Sequence, residues 1–356
     1  MKSANNGGSM DDVLREERNR LVLNAVIAEY IKTGMPVGSR AISKKYGMSV
    51  SPATIRNVMA DLEDLGYLYQ PHTSAGRVPT DVGLRLYVDS LLTIQQLTQA
   101  ERERIRRAYR GGFRRVESLL KETSRILSSF SGQAGVVLSP RLSTIAFKRI
   151  DFVRLRPRII LAILVSQAGI VHNTVVQTDE DISQDDLNKY GRYLDGMLKD
   201  LTVVQVKERL LAEMKEEKVL FDSLLANVIE LSQNAVQKEA ADSDLYIDGR
   251  MNLLAHREFA DVERMRQVFI AFEEKSKIIE LLDKSTGAGR VHIIIGSESQ
   301  LHGMEGISII ASPYTTGEET LGTIGVIGPT RMDYSRIIPL VDYTARLLSK
   351  ILEDRL

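Results

Sequence analysis

Two side chains that can read DNA bases stand next to each other at Arg56 and Asn57. Arginine can make paired hydrogen bonds to the edge of guanine, and asparagine can make them to adenine. Thr54 adds a hydroxyl group two residues earlier. These three side chains predict direct contact with bases in the major groove. The segment taken alone also suits an ordinary solvent-exposed helix.

The segment around these residues carries the start and stop signals of a helix. Ser51 is a good N-cap, Pro52 suits the first helical position, and Gly66 suits the left-handed residue after the C-terminus. Between them, apolar residues recur at helical spacing and predict one packing stripe: Ile55, Val58, Met59, Leu62 and Leu65. Because this stripe occupies one side of the helix, the opposite side is free to contact a partner.

The charges along the predicted helix run against its dipole. Arg56 lies near the N-terminus, whereas Asp61, Glu63 and Asp64 lie at the other end. An isolated helix prefers the reverse order, by roughly 0.3–1 kcal/mol per charge. An anionic partner at the N-terminal end resolves this conflict.

The flanking segments predict a winged helix-turn-helix unit. Apolar spacing indicates a helix over 18–32 and a shorter one over 40–46. A four-residue turn, 48–51, then leads into the third helix, which is helix-turn-helix order. Downstream, two short extended segments, 67–71 and 76–79, are typical of a β-hairpin wing.

The predicted wing places another arginine, Arg77, along the DNA backbone or in the minor groove. With Thr54, Arg56 and Asn57, it completes the residues predicted to contact DNA directly. A second set is predicted to position the protein on the phosphates: Lys44, Lys45, Ser51, His72 and Ser74.

Charge supports this prediction modestly. The segment 18–80 carries eight basic and four acidic side chains, whereas the whole chain is formally neutral. A neutral chain with one basic segment favours specific DNA contacts over indiscriminate coating of nucleic acid. A second basic run, 101–115, has seven arginines against two glutamates. It is interpreted either as a solvated helix face or as an auxiliary phosphate contact or interface.

The length of 356 residues predicts several domains. Strand patterns after residue 133 and again after residue 290, separated by charged amphipathic segments, indicate one discontinuous α+β domain with a mostly helical insertion. The predicted divisions are a flexible tail at 1–17, the winged helix with its linker helix at 18–94, the two parts of the body at 95–203 and 283–356, and the insertion at 204–282.

The residues that could support catalysis or bind a metal are few and scattered. The five histidines are scattered without metal-ligand spacing, and there is no cysteine. The glycines at 287 and 289 precede a strand, which is the wrong context for a dinucleotide motif. Gly322, Gly325 and Gly328 are followed by neither GKS nor GKT, so strand and turn geometry is favoured over a phosphate loop. We therefore expect no cofactor, no metal and no catalytic activity.

Composition also predicts the setting. No apolar run approaches the length needed to cross a bilayer, and no signal peptide is visible. The lack of cysteine agrees with a bacterial cytoplasm. We therefore expect a cytoplasmic protein without a membrane partner, bound to the nucleoid at its target site.

Three segments carry a family resemblance: TIRNVMADLEDLGYL, then QPHTSAGRVPT, and later GVIGPTRMDYSRII. They resemble the HrcA heat-inducible transcription repressors, and the likeness extends over 18–351. It implies a GAF-like fold for the body and a dimerisation role for the insertion. It also implies an inverted-repeat operator at chaperone operons, and the GroE chaperonin as the partner that keeps the repressor active.

These observations predict a homodimeric repressor in which two winged helices read the halves of an inverted repeat in double-stranded DNA. The alternative is a winged-helix regulator switched by a small molecule bound to the GAF-like domain. An enzyme with an appended DNA module is disfavoured because no catalytic cluster is visible.

Overall fold

A computed structural model describes most of the chain. The described residues are 10–46, 50–73, 75–111, 115–140, 147–166, 171–198, 201, 245–256, 265–266, 270, 272, 274–286, 291–300, 306–317 and 319–354. Residues 1–9 of the predicted tail, 1–17, and most of the predicted insertion lie outside these ranges, whereas residues 10–17 of that tail belong to the first helix. The architecture is α+β, as the sequence predicted.

Nine helices and ten strands are named here, in chain order, within the described ranges. They are α1 Met10–Thr33, α2 Ser39–Lys45, α3 Pro52–Asp64, β1 Leu68–Tyr69, β2 Val78–Pro79, α4 Asp81–Leu86, α5 Gln99–Ala108, α6 Val116–Ser131, β3 Ala134–Leu138, β4 Phe147–Arg156, β5 Ile159–Ser166, β6 Val171–Gln177, α7 Gln184–Leu198, β7 Leu245–Asp248, α8 Lys275–Thr286, β8 His292–Ile295, β9 Ile307–Thr316, β10 Glu319–Pro329 and α9 Tyr334–Glu353. A π-helical turn, Tyr87–Leu91, extends α4.

The N-terminal unit, residues 10–91, packs three helices around a small apolar core. Helix α3 turns its apolar stripe towards α1, and the buried members of that stripe are Ile55, Val58, Met59 and Leu62. Leu65 was predicted to belong to the stripe, but it is 61% exposed. The helical backbone continues through Leu65, whose amide donates to the Asp61 carbonyl at 3.1 Å, so its exposure shows that the core does not extend to this end of α3.

A short hairpin follows α3. Strands β1 and β2 pair antiparallel, with Leu68 opposite Pro79. The Thr80 hydroxyl caps α4 by accepting from the Gly83 amide at 3.1 Å, and it donates to the Gly66 carbonyl at 2.7 Å. One side chain therefore joins the end of α3, the hairpin and the start of α4.

The body, residues 99–354, is built on a five-stranded antiparallel sheet in the order β7-β3-β10-β9-β8. Alternate residues face opposite sides, as strand geometry requires. Val137 faces the core that contains α6 and α9, whereas Val136 faces a second core with Leu281 and Leu282 of α8. The sheet is thus covered by helices on both faces.

A separate three-stranded sheet, β4-β5-β6, packs against α7. The predicted division of the body placed strands β4 to β6 in its first part and β7 in the insertion. Strand β7 instead pairs with β3 in the five-stranded sheet. Apolar alternation reveals that a segment is a strand, but long-range hydrogen bonding decides which sheet it joins, so the sequence pattern could not separate the two sheets.

Substitution of Gly83 by alanine is expected to destabilise the N-terminal unit. A Cβ at this position would lie 2.2 Å from the Tyr67 carbonyl oxygen, which is backbone and cannot rotate away. We expect Gly83→Ala to lower the free energy of unfolding by about 1–3 kcal/mol, the usual cost of overpacking. Urea denaturation followed by circular dichroism measures it.

The matched control is Gly196→Ala in α7, where no atom of the described residues, apart from the adjoining backbone of the helix, lies within 4 Å of the added Cβ. Because alanine is the better helix former, this variant is expected to be neutral or more stable. Equal stability of the two variants would contradict the close approach of α4 to the hairpin.

Candidate nucleic-acid interface

Helix α3 begins with a well-formed cap. The Ser51 hydroxyl accepts from the Thr54 amide at 3.1 Å and lies 3.0 Å from the Thr54 hydroxyl. Pro52 occupies the first turn, where no amide hydrogen is needed. The capped end leaves Thr54 half-buried, with its amide bonded to Ser51.

Arg56 and Asn57 are both exposed on the side of α3 opposite its apolar stripe. Neither side chain makes a hydrogen bond or ion pair with any residue in the described ranges. Their polar groups are therefore available to an external partner. The structure thus places the two predicted base-reading side chains together on one outward face.

The two lysines of α2 have different surroundings. Lys44 is exposed and has no ion-pair partner among the described residues. Lys45 forms an ion pair with Glu29 of α1, whose side chain is only 8% exposed. Burial and the nearby Glu29 charge raise the pKa of Tyr46. Lys45 consequently balances a buried carboxylate, and Lys44 is the freer of the two lysines predicted to contact phosphates.

The loop of the hairpin is held by one glutamine. The Gln70 amide donates to the carbonyls of Thr73 and Ala75, at 3.0 and 2.9 Å. His72 is exposed, consistent with its predicted access to a partner. Ser74, also predicted to position the protein on DNA, lies outside the described residues.

Arg77 has a different environment from the predicted one. Its Nε atom lies 2.8 Å from an oxygen of Glu63 in α3, and its side chain is only 17% exposed. The direction of Nε–H does not suit a hydrogen bond, so the contact is electrostatic. The backbone of Arg77 also pairs with Val37 through two hydrogen bonds, at 2.8 and 2.9 Å.

This ion pair gives a second explanation of the charge order along α3. The carboxylate of Glu63, near the C-terminal end of the helix, is balanced by a basic side chain from the hairpin. An external anion is therefore not required to explain why Glu63 lies there. The conflict between the charge order and the helix dipole is thereby reduced at the C-terminal end of α3.

The basic helix α5 is largely accounted for by contacts within the chain. Arg102 lies over the Tyr343 ring at 5.8 Å, and Arg104 lies over the Phe130 ring at 5.2 Å. Arg107 and Arg110 share the carboxylate of Glu103. Arg102 and Arg104 thus contact α9 and α6, whereas the pairs of Arg107 and Arg110 with Glu103 are local and largely exposed.

Metal and phosphate-loop patterns find no counterpart in the described residues. No group of three histidine or acidic side chains there is arranged to hold a metal ion. Gly322, Gly325 and Gly328 all lie inside strand β10, in agreement with the predicted strand geometry. Within the same ranges, no helix has the length and apolar character required to cross a bilayer.

Sequence reasoning missed the contacts between the N-terminal unit and the body. Asp81 and Arg85 of α4 bond to Ser297 and Glu298 of the body. More than 200 residues separate the partners along the chain, so no local pattern signals the contact. A cavity of about 570 Å³ opens beside it, lined by α4, α8 and β8.

A three-helix unit with an attached hairpin, and with free arginine and asparagine side chains on its outer helix, is typical of DNA-binding transcription regulators. Comparison with known proteins identifies the family. The family model described as "HrcA protein C terminal domain" matches residues 117–338.

Two relatives named "Heat-inducible transcription repressor HrcA" align over nearly the whole chain. The protein from Syntrophobacter fumaroxidans is 54% identical over 342 residues, covering 95% of this chain and 97% of the relative. That from Geobacter sulfurreducens is 52% identical over 337 residues, covering 95% and 98%. The chain belongs to the HrcA family of heat-inducible transcription repressors.

A solved structure titled "Crystal structure of a hypothetical protein at 2.2 A resolution" shares the fold. It covers 96% of this chain and 99% of its own, with a TM-score of 0.60 and 23% sequence identity. At this level of identity the likeness supports the α+β architecture alone.

The Arg77–Glu63 ion pair is expected to stabilise the attachment of the hairpin to α3. In a double-mutant cycle of Arg77→Gln and Glu63→Gln, we expect a coupling of about 0.5–1 kcal/mol, because the partners are only partly exposed. Urea denaturation of the four proteins measures this coupling. The corresponding cycle for Arg125 and Glu122, which are 3.9 Å apart with Arg125 71% exposed, is expected to show none. Equal coupling in the two cycles would refute the structural role of Arg77.

Proposed function

We propose that this protein represses transcription by binding operator DNA through α3, with the N-terminal unit acting as a winged helix-turn-helix. The observation that carries the proposal is the exposed, unpaired state of Arg56 and Asn57 near the capped N-terminus of α3. Recognition helices present this end to base edges, and the positive end of the helix dipole favours the nearby phosphates.

The contacts divide into three roles in this proposal. Arg56 and Asn57 read base edges, with Thr54 beside them. Lys44, His72 and the cap residue Ser51 lie at exposed positions suited to phosphates. Arg77 and Lys45 act mainly by holding the hairpin and α2 in place, since both are already paired with acidic side chains. Ser74 is kept as a phosphate contact from its position in the sequence.

The operator is proposed to be an inverted repeat upstream of chaperone operons. The relatives from Syntrophobacter and Geobacter are named heat-inducible repressors, which supports control of stress genes. The GroE chaperonin is proposed to keep the repressor active, so that unfolded proteins that occupy the chaperonin during heat stress relieve repression. The protein is proposed to act in the bacterial cytoplasm, at its operator on the nucleoid.

The five-stranded sheet is proposed to be the core of a GAF-like domain. Helices α6, α9 and α8 cover its two faces. In this proposal the insertion begins between β3 and β4 and ends before β7, because β7 pairs with β3 in the five-stranded sheet. The apolar positions predicted to drive dimerisation, such as Leu220 and Phe221, lie outside the described residues.

The three-stranded sheet offers a described surface for the proposed dimer. The face away from α7 carries exposed apolar side chains: Val153, Leu155, Val171 and Val175 are 39%, 53%, 59% and 47% exposed. The register places Val153 and Val175 on either side of Leu161, so these residues form a continuous apolar row. Such a row is suited to an isologous contact with a second copy of the chain.

The effector-switched alternative is supported only by the cavity beside α4. Its polar lining includes Arg85 and Glu298, which are bonded to each other. No ligand class is specified by this lining. Repression through operator binding therefore remains the proposed function.

Operator binding is tested by fluorescence anisotropy at physiological salt, with an inverted-repeat duplex from a chaperone operon and a scrambled duplex. The native protein is expected to bind the operator at least about 10³-fold more tightly than the scrambled duplex. Arg56→Ala and Asn57→Ala are expected to cost about 1–3 kcal/mol on the operator and little on the scrambled duplex. Lys44→Ala is expected to weaken both equally and to reduce the salt slope by about one.

The control is Arg20→Ala, which removes an exposed basic side chain from α1 and is expected to leave selectivity unchanged. Adding chaperonin is expected to raise the fraction of protein that binds. Equal weak binding of folded native protein to both duplexes would refute the repressor proposal. A constant active fraction would refute the chaperonin proposal alone.

The dimer surface is tested by Val175→Asp and analytical ultracentrifugation. An isologous contact places the new charge in the interface twice, so the dimer dissociation constant is expected to rise at least about tenfold. Asp179→Asn, a charge change at an exposed position just beyond β6, is the control and is expected to leave the constant unchanged. An unchanged dimer in Val175→Asp would assign dimerisation to another surface.

A further inference from the structure

Polar side chains of α4 form directional hydrogen bonds with the body. The carboxylate of Asp81 accepts hydrogen bonds from the backbone amide and the hydroxyl of Ser297, both at 2.9 Å. Asp81 follows directly after Thr80, which caps α4 at the end of the hairpin. The first turn of α4 is therefore tied at once to the hairpin and to the body.

One turn further along α4, Arg85 makes a bidentate contact with Glu298 in the same part of the body. Its Nε atom donates to one oxygen of Glu298 at 2.8 Å, and Nη2 lies 2.5 Å from the other. Nη2 also donates to the Ile293 carbonyl at 2.6 Å. Paired bonds between arginine and carboxylate restrict orientation as well as distance.

Two features of the body accommodate these side chains: the lack of a side chain at Gly296 and the fixed carboxylate of Glu298. Gly296 has φ of 51°, and a Cβ there would lie 2.3 Å from the Asp81 carboxylate. Glu298 is fixed from behind, because its carboxylate also accepts from the Ile295 amide at 2.8 Å. Although burial raises the pKa of Glu298, the bonds from Arg85 and Ile295 outweigh that effect and lower it below the ordinary value.

A second contact lies elsewhere on the N-terminal unit. The Arg331 guanidinium of the body donates to the Ile31 carbonyl at 3.3 Å and lies against Gly34, just after α1. Apolar packing also joins the unit to the body, but such packing is non-directional and permits small rotations. Hydrogen bonds at two separate points restrain rotation in a way that apolar contact does not.

We propose that Asp81, Arg85, Ser297 and Glu298 form a latch that fixes the orientation of the N-terminal unit on the body, and thereby sets the separation of operator half-sites that a dimer accepts. The latch residues are positioning residues. They act through α4 and the hairpin on α3, and they do not contact DNA. This inference rests on the proposed function.

The physical reason is that a dimer reads two half-sites only when both recognition helices reach the same face of the duplex. About 10.5 base pairs make one helical turn, so a change of about five base pairs moves one half-site to the opposite face. A dimer with fixed units then loses the second contact. A dimer with loosened units can still reach both half-sites.

The first test needs no DNA. The chain contains no cysteine, so spin labels can be attached specifically to Asp64→Cys in α3 and Lys350→Cys in α9, both exposed positions. Labelled protein is diluted with an excess of unlabelled protein, so that distances within one chain are measured. We expect a narrow distance distribution for the native background and a broader one with Arg85→Gln.

Arg336→Gln is the matched control, because Arg336 also bonds a glutamate, Glu101, but both partners belong to the body. It is expected to keep the narrow distribution, and Arg85→Lys is expected to restore part of it. An equally narrow distribution in Arg85→Gln overturns the latch.

The second test uses duplexes whose half-sites are moved apart by about five base pairs. The native protein and Arg336→Gln are expected to lose about 100-fold in affinity, as one of two linked contacts is removed. Arg85→Gln is expected to lose less than about tenfold, with its affinity for a single half-site unchanged.

The two tests separate failure of the latch from failure of the proposed function. If Arg85→Gln loses as much as the native protein on the shifted duplex, the latch does not set spacing. If the native protein binds no inverted repeat at all, the operator proposal fails, and the distance measurement alone decides whether the latch fixes the unit.

Discussion

The body is organised by the burial of strand β10. This strand hydrogen-bonds with β3 on one side and β9 on the other, and its Ile324 and Val326 are fully buried. Close packing here requires glycine: a Cβ on Gly322 would lie 2.4 Å from the Leu138 carbonyl, and one on Gly325 would lie 2.7 Å from the Ile310 carbonyl. The positions of α6, α9 and α8 on the two faces of the sheet follow from this central strand.

A continuous series of contacts links this core to the exposed face of α3. Strand β9 holds β8 at the edge of the sheet, and β8 leads into the turn that carries Ser297 and Glu298. That turn binds α4, and Thr80 binds α4 to the hairpin and to the end of α3. Through these links the core of the body fixes the direction in which α3 presents Arg56 and Asn57. Contacts at the edge of the sheet thus bear on a surface formed by a different part of the chain.

Local patterns in the sequence predicted the local structure well. The cap at Ser51 forms as the sequence indicated, because it depends only on residues three positions apart. The predicted exposure of Arg56 and Asn57 followed from the helical period and is confirmed. The predictions that failed needed information from further away. Leu65 is exposed because the core does not extend to the C-terminal end of α3, which the helical period alone does not show.

Charge and strand assignments show the same limit. The positive charge of Arg77 was evident from the sequence, but the carboxylate of Glu63 that pairs with it was not evident as a partner. The strands β4 to β6 were recognised as strands, yet the pattern did not show that they form a sheet of their own. The alternation of apolar residues shows which side chains of a strand are buried, but it does not show which sheet the strand joins.

The sequence by itself determined the family, the helical unit that carries Arg56 and Asn57, and the α+β composition of the body, because these depend on motifs and on short-range periodicity. Only the tertiary structure decided that Arg77 and Lys45 are paired within the protein, that β7 rather than β4 to β6 joins the main sheet, and that α4 is tied to the turn at Ser297 and Glu298. The physical reason is that these features depend on contacts between residues distant in the chain, which hydrogen-bond geometry and burial select and which short-range spacing does not encode.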